Sequence, residues 1–425
     1  MTRPSPSLLP TLWRTPFLRA ACIAMFISGI AVSATMPQMS LFLTTELHLP
    51  IEVAGLYYLV NLVAPLAGFL IGSLSERLPN RLFLYRFCAI VGAIGWMAMA
   101  FANRPWLPFV IGACVLSLGG GAMGQLFAAT RDELSRHPTP MNNRIIAAVR
   151  MCFSAGWIVG PVLGSWFGAA FGLRALLIAT SLLTLSELIP LGRRRVEPFV
   201  HHRAMPRSDG DQPATTRTAR ASTRNSLLPL LIFLGCSVLI INGDTIKFAY
   251  LPLYMEDDLR LSDTLRGAVI AVQPFLELLL MPLFARLSDR ITPIWVLTIA
   301  SALGIGANLA YAFSSSVAGL FLGQFLMSGV WAAMAGLGIT IAQQLAPERV
   351  GLASSLYGST LPLASAMGGS LGALGVSWLG MPQLFFIPAV LSALGFVGLI
   401  LTARRFRPDD SAFTTATVET ATESP

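Results

Sequence analysis

A few ionisable side chains interrupt the long apolar runs of this sequence and could do chemistry there. Glu277 lies in a run with no other charge between Arg266 and Arg286. A charged group at mid-bilayer costs roughly 2.5 kcal/mol or more unless it is paired or wetted, so each one marks a candidate site. A carboxylate so placed is neutral when dry and ionised when paired or hydrated, which is what a proton-coupling group needs. A structural hydrogen bond to a neighbouring helix is the alternative. Asp244 and Lys247 lie one helical turn apart and can pair locally, either as a second proton-handling group or as a plain structural pair. Lys247 is the only lysine in the chain. Arg150 opens another apolar run. It could hold a ligand hydroxyl or Glu277, or it could snorkel to the membrane surface.

The elements that would position these groups are apolar helices. Of 425 residues, 54% are hydrophobic and 12% charged, and the mean hydropathy is +0.68. A soluble domain is nearer a quarter charged. Runs near 20 residues recur along the chain, each long enough to cross a bilayer of about 30 Å. They read as helices over 17–35, 52–74, 82–101, 106–128, 146–168, 173–191, 227–248, 264–285, 292–312, 317–341, 352–376 and 383–402. The net charge of +8 does not imply nucleic-acid binding, because the arginines lie in the links between runs. The five cysteines, Cys22, Cys88, Cys114, Cys152 and Cys236, fall within apolar runs, have no metal-ligand spacing and read as inert thiols.

The chain is two copies of one unit. Leu74-Ser75-Glu76-Arg77 recurs about 213 residues later as Leu287-Ser288-Asp289-Arg290, Gly55 falls over Gly267, and Asn61 falls over Gln273. Internal repetition settles architecture before local detail does, and parallel repeats of six apolar helices mark one large class of membrane proteins. The expected fold is therefore all-α and membrane-embedded, with about twelve transmembrane helices in two six-helix parallel repeats. The expected divisions are a tail at 1–15, an N-terminal half at 16–192, a linker at 193–226 too polar to fold, a C-terminal half at 227–403 and a tail at 404–425. Arginines cluster in alternate links: Arg77, Arg81 and Arg86; Arg131, Arg136 and Arg144; Arg193, Arg194 and Arg195; Arg286 and Arg290; and Arg404, Arg405 and Arg407. The opposite links carry Glu46, His48 and Glu52, or Glu256, Asp257 and Asp258. Arginine bias marks the cytoplasmic side, so both termini and the linker are expected there.

The link over 72–81 resembles the signature loop of the major facilitator superfamily, with Gly72, Glu76, Arg77 and Arg81 at its glycine, acidic and basic positions. Glu replaces the usual Asp, and Pro79-Asn80 stand where a Gly is expected. Asp289 and Arg290 survive in the second copy, but Pro293 and Ile294 replace its later basic residues. Acid and guanidinium groups at these helix ends could latch the halves together in one state and release them in another; a solvated turn is the alternative. Gly156, Gly160 and Gly164 put small residues on one face of the fifth helix for close packing, and Pro161 removes a backbone bond. This stretch resembles the Gly-Pro motif that the superfamily associates with exporters.

A narrower resemblance rests on several stretches together: Phe42-Leu43-Thr44-Thr45-Glu46-Leu47-His48, Gln125-Leu126-Phe127-Ala128, Arg150 with Trp157-Ile158-Val159-Gly160-Pro161, Leu276-Glu277, and Leu356-Tyr357. They resemble the bacterial sugar efflux transporter (Set) family from about Leu41 through the eleventh helix. Pro362 stands where that family has an Arg. The resemblance implies a proton-linked exporter of sugars and glycosides in the bacterial inner membrane. A sugar site calls for amides and an aromatic ring, so Asn61, Gln125, Asn242 and Gln273 become binding candidates with Arg150. Trp157, Tyr357, Tyr57 and Tyr58 are candidates for stacking. Singly, each is more often a packing residue. Asn61 and Gln273, being repeat-related, should face each other across the pseudo-two-fold axis. The expected energy source is the proton gradient, with no cofactor, because no phosphate-binding Gly-Lys-Ser/Thr loop is present. A monomer in the lipid bilayer, without nucleic acid or metal, is expected. An exporter of apolar drugs and a ligand sensor built on a transporter fold remain alternatives, whereas no Ser/His or His/Glu constellation suggests an enzyme.

Overall fold

The computed structural model describes residues 8–139, 141–197 and 227–405. Their order is α1 Pro16–Glu46, α2 Ile51–Arg77, α3 Arg81–Ala100, α4 Leu107–Arg136, α5 Asn142–Phe171, α6 Leu173–Ser186, α7 Leu228–Asp257, α8 Asp263–Ser288, α9 Pro293–Ala312, α10 Val317–Leu345, α11 Val350–Gly358 with Thr360–Leu379, and α12 Phe386–Arg405. Among the described residues, ten helices are long and apolar enough to cross a membrane. The other two are α6, with 14 residues, and α11, which breaks at Ser359. Several helices outrun their apolar stretch, most clearly α1 with 31 residues and α7 with 30. Hydropathy reads only the part suited to hydrocarbon, while the backbone continues to hydrogen-bond itself into polar surroundings. Most of the segment expected as a linker and most of the final tail lie outside the described residues.

The repeat is visible in the backbone. Among the described non-glycine residues, His48 and Arg260 have positive φ, at 53° and 49°. They lie 212 residues apart, as do Gly55 and Gly267. The same chain reversal follows each: Leu49 N donates to Leu43 O, and Leu261 N to Met255 O, at 3.0 and 2.9 Å. Few non-glycine residues adopt this conformation, so finding it at matching points of both copies shows one turn used twice.

Glycine sets the close helix crossings. A Cβ at Gly156 would lie 2.5 Å from Phe26 O, one at Gly160 1.8 Å from Ser33 Oγ, and one at Gly164 2.0 Å from Ala34 O. All three glycines of the fifth-helix stripe thus face α1, and Ser33 Oγ donates to Gly156 O across the crossing at 3.3 Å. The C-terminal half repeats the arrangement between α11 and α7, where Gly368 abuts Asn242 O and Gly372 abuts the ring of Tyr250.

The halves meet through α2 with α11 and α5 with α8. Gly55 lies against Tyr250 and Gly369 O, while its repeat mate Gly267 lies against Pro161 O and Val162 Cα. Asn61 Nδ2 donates to Ser365 Oγ of α11 at 2.7 Å. The Gly55–Gly369 contact and the approach of the end of α1 to α7 sit at the end of the bundle away from the linker. At the linker end, a Cβ at Gly68, Gly72, Gly124, Gly336, Gly351 or Gly358 would have no neighbour within 4 Å. At the far end Ile51–Leu56 and Tyr57–Val63 of α2 pack on α11 and the end of α1 packs on α7, whereas Ala64–Arg77 of α2 has no comparable packing on the C-terminal half, so the molecule is closed at the far end and splayed at the linker end.

Two expectations are corrected here. Within the tail expected over 1–15, Leu8–Arg14 is a helix, and Leu12 is buried in the core of the N-terminal half. Apolar residues at one-turn spacing form this helix, and Pro16 starts the next. The first residues of the expected free linker are tied down. Arg81 N donates to Val196 O at 2.8 Å, Arg86 donates to Gly192 O and Arg194 O, and Arg136 donates to Glu197 O. Side chains that satisfy exposed carbonyls hold this strand of chain against the N-terminal half.

Gly164→Val should lower the thermal midpoint of the detergent-solubilised protein markedly, since overpacking of this kind costs about 2 kcal/mol or more. Gly124→Ala, in open space, should leave it unchanged. Equal midpoints for the two variants would contradict the glycine-controlled crossing.

Candidate functional site

Lys247 is the centre of the polar groups on α7 and α8. It is 1% exposed and sits between an acid and an amide: its Nζ donates to Asp244 Oδ1, one turn back on α7, and to Gln273 Oε1 on α8. The ammonium also lies 4.3 Å from the Phe248 ring centroid. A buried ammonium is tolerable only when its donors are matched by acceptors and a counter-charge, and these three neighbours supply both. Glu277 follows Gln273 by four residues, so the two share one face of α8. Asp244 and Lys247 from α7 and Arg150 from α5 act on Glu277 electrostatically. No described residue forms a closed ion pair with Glu277 or Arg150. A carboxylate, a guanidinium and a buried ion pair therefore lie where α5 meets α7 and α8.

Aromatic side chains flank this group. Trp157 of α5 meets Phe248 of α7 edge-on, with centroids 5.9 Å apart, and Phe153 lies 6.4 Å from Trp157. The buried Trp157 Nε1 has no protein acceptor. Tyr357 stacks on Phe233 at 6.3 Å, and its hydroxyl donates to Met334 O at 2.8 Å. One ring face and the hydroxyl of Tyr357 are thus used within the C-terminal half.

The amides separate. Asn61 joins the halves through Ser365, while Gln273 is held by Lys247 within the C-terminal half, so the expected facing pair engages different partners. Pro65 has no N–H for Asn61 O. Ala64 N bonds to that carbonyl instead, and the Tyr57–Val63 segment tightens into a 3-10 helix. Asn61 also lines a largely apolar cavity of about 290 Å³ inside the N-terminal half, with Met36, Met39, Tyr58, Trp96 and Ser117. Gln125 sits at the linker end, away from the Lys247 group, and accepts from Ser75 Oγ. Asn242 is fully buried, and its amide donates to Leu239 O on its own helix.

The loop residues form their contacts within the N-terminal half. Arg81 Nε donates to Asp132 Oδ2 at 2.8 Å, and its Nη1 donates to Ser75 O and Ser75 Oγ. Glu76, Arg77, Asp289 and Arg290 are exposed, and Gly72 adjoins open space. In this splayed arrangement the loop does not bridge the halves. Pro161 sits inside α5 at its contact with Gly267. Asp132, Ser75, Ser365 and Phe248 join the candidate residues through contacts that the structure reveals. Asp132 had a usable signal, as an acid just beyond the fourth apolar run on a helix that must return beside Arg81.

The family model described as Major Facilitator Superfamily matches residues 21–256 and 232–422. Sugar efflux transporter A of Dickeya chrysanthemi is 27% identical, over 85% of this chain and 88% of the relative. Sugar efflux transporter A of Escherichia coli (strain K12) is 27% identical, over 91% and 95%. Multidrug resistance protein MdtG of Salmonella typhimurium is 26% identical, over 76% and 79%. Among solved structures, the nucleoside transporter NupG superposes with a TM-score of 0.69 at 13% identity, covering 92% of this chain and 99% of that one. That likeness concerns the fold alone. With two six-helix repeats, a family match across both and a charged group at their interface, the chain belongs to the Major Facilitator Superfamily.

Proposed function

We propose that this protein exports sugars or glycosides across the bacterial inner membrane in exchange for protons. The observation that carries the reading is the buried Asp244–Lys247–Gln273 group with Glu277 beside it at the interface of the halves. Charges kept in a membrane interior mark ion or substrate paths more often than they stabilise a fold. The similarity to proteins named sugar efflux transporters supports the substrate class.

The arginine-rich links support a cytoplasmic linker end, and on that reading the splayed arrangement is inward-facing. A substrate entering from that side meets Arg150, Trp157 and Glu277. Arg150 donates to hydroxyls, Trp157 with Phe248 offers apolar ring faces, and deprotonated Glu277 accepts from a hydroxyl. Rocking of one half on the other about the glycine crossings then closes the linker end and opens the far end. Protonation of Glu277 from outside weakens its hold on the sugar and on Arg150, which couples release to proton entry. Asp244 and Lys247 act as the linked second site. Exchange of partners among Asp244, Lys247, Gln273 and Glu277 lets the proton bias which state is favoured. The Arg81–Asp132 network stays within one half in this state, leaving Glu76, Arg77, Asp289 and Arg290 free to latch the closed one. The largely apolar cavity beside Asn61 and the likeness to MdtG keep export of apolar drugs as the second reading.

Inside-out vesicles energised by a proton gradient should take up a radiolabelled galactoside, and an uncoupler should abolish the uptake. Uptake of a hydrophobic dye without the galactoside would move the assignment to drug export. Glu277→Gln should abolish uphill uptake and retain galactoside binding; normal uphill uptake would remove Glu277 from the coupling role. Lys247→Met should destabilise the protein by about 3 kcal/mol or more, because it strands Asp244, whereas Lys247→Met with Asp244→Leu should recover most of that loss. The double variant should fold and fail to couple, which thermal melts and vesicle uptake would read separately.

A further inference from the structure

Inside the C-terminal half, away from the interface with the other half, lies a set of polar atoms that the proposed transport cycle does not use. Asn308 Oδ1, Tyr311 OH and both side-chain polar atoms of Gln324 are buried without a protein partner. Tyr311 and Gln324 are each 0% exposed. In a membrane interior such atoms are costly unless something polar meets them, and a leucine would fill the volume of Gln324 without that cost.

Two of these residues, Asn308 and Tyr311, lie near the stretch of α7 that carries Asp244. Asn308 and Tyr311 lie one turn apart on the same face of α9. The Asn308 carboxamide packs on Gly243, next to Asp244, where an added Cβ would come within 2.9 Å of Oδ1. Tyr311 lies in the electrostatic field of Asp244. The Tyr311 ring packs on Gly323 of α10, the neighbour of Gln324. A separate set of polar contacts lies at the far end, three residues on from Tyr311. Tyr254 OH donates to Ser314 O at 2.7 Å, Ser314 Oγ donates to Ser316 O at 2.9 Å, and Ser316 is exposed. The charged group whose field reaches Tyr311 is Asp244 of α7, itself paired with Lys247. On α9 and α10 the groups in this region are the neutral Asn308, Tyr311 and Gln324.

We propose that Asn308, Tyr311, Gln324 and Asp244 enclose a water-binding site, and that water held there passes protons between the Ser314–Ser316 turn and Asp244 by a route separate from the substrate path. The chemistry is a relay. Each water accepts a proton from the side of the turn and gives one up toward Asp244. The carboxylate takes the last proton and releases Lys247 from the ion pair. The donor set suits water: a buried water makes two to four hydrogen bonds to groups that otherwise lack partners, and two amides, a phenol and a carboxylate provide them. The relay rests on the proton-coupling reading, whereas the water site itself does not.

The full chain in detergent micelles, exposed to radiolytic hydroxyl radicals in ¹⁸O-labelled water and read by mass spectrometry, tests the site without any transport assay. Tyr85 is the reference, being 2% exposed with its hydroxyl engaged by Glu187 O. Tyr311 should take up label several-fold faster than Tyr85, and Gln324→Leu should slow it. Equal labelling of the two tyrosines in the unsubstituted protein would overturn the water site. Suppression of Tyr311 labelling by sodium but not by choline would overturn it in favour of a bound cation. In vesicles, Gln324→Leu should slow proton-driven galactoside uptake several-fold and leave gradient-free galactoside exchange unchanged. Fast labelling together with normal proton-driven uptake by Gln324→Leu would overturn the relay. Lack of proton-driven uptake by the unsubstituted protein would instead count against the coupling reading.

Discussion

Backbone-to-backbone approach at glycine is the constraint on which the rest of this structure depends. Where α5 crosses α1, the positions of Gly156, Gly160 and Gly164 leave no room for a methyl group. Helices in lipid gain little from burying apolar surface against each other, so close packing of small residues carries much of the association. The same device joins α7 to α11 and, through Gly55 and Gly267, the two halves to each other. At Gly164 and Gly267 backbone lies on backbone, whereas at Gly55 and Gly372 the missing side chain makes room for the Tyr250 ring. The polar tie across the α2–α11 crossing is the neutral Asn61–Ser365 hydrogen bond rather than an ion pair.

The buried charges of α7 lie beside these crossings. Lys247 is held by Asp244 and Gln273 within one half, whereas Glu277 and Arg150 belong to different halves and lie within each other's field. A charge pair divided between two bodies changes its energy when the bodies rotate, and a pair contained in one body does not. That difference separates the residues suited to sense rotation from those suited to hold a charge in place. The loop network of Arg81, Asp132 and Ser75 stiffens the N-terminal half while the linker end is open. The tied segment Gly192–Glu197 adds to it.

Much of this was legible in the chain because the repeat is written in residue types. Gly55 with Gly267 announced two equivalent crossings, and the apolar runs marked the helices that form them. The glycine stripe on α5 named its own packing face, although not its partner α1. What was illegible depends on which helices become neighbours. Gln273 as the second acceptor for Lys247, Ser365 as the partner of Asn61, and the placement of Gln125 with Ser75 at the linker end all join segments far apart in sequence. Helix ends were misjudged wherever polar residues continued a helix past its apolar part, as in α1 and α7. The helix at Leu8–Arg14 was overlooked because seven residues give too short a pattern to stand out.

The central claim is that two rigid six-helix bodies pivot about the glycine crossings, opening one end as the other closes. Pulsed electron–electron resonance on a cysteine-free protein in nanodiscs tests it most directly. Spin labels at Arg131 and Glu348 span the linker end, labels at Arg104 and Phe313 span the far end, and labels at Arg14 and Arg131 stay within one half. Lowering the pH and adding galactoside should create a second, shorter linker-end distance together with a longer far-end distance, while the distance within one half stays fixed. Linker-end and far-end distances that move in the same direction, or a distance within one half that shifts as much as those between halves, would contradict the account.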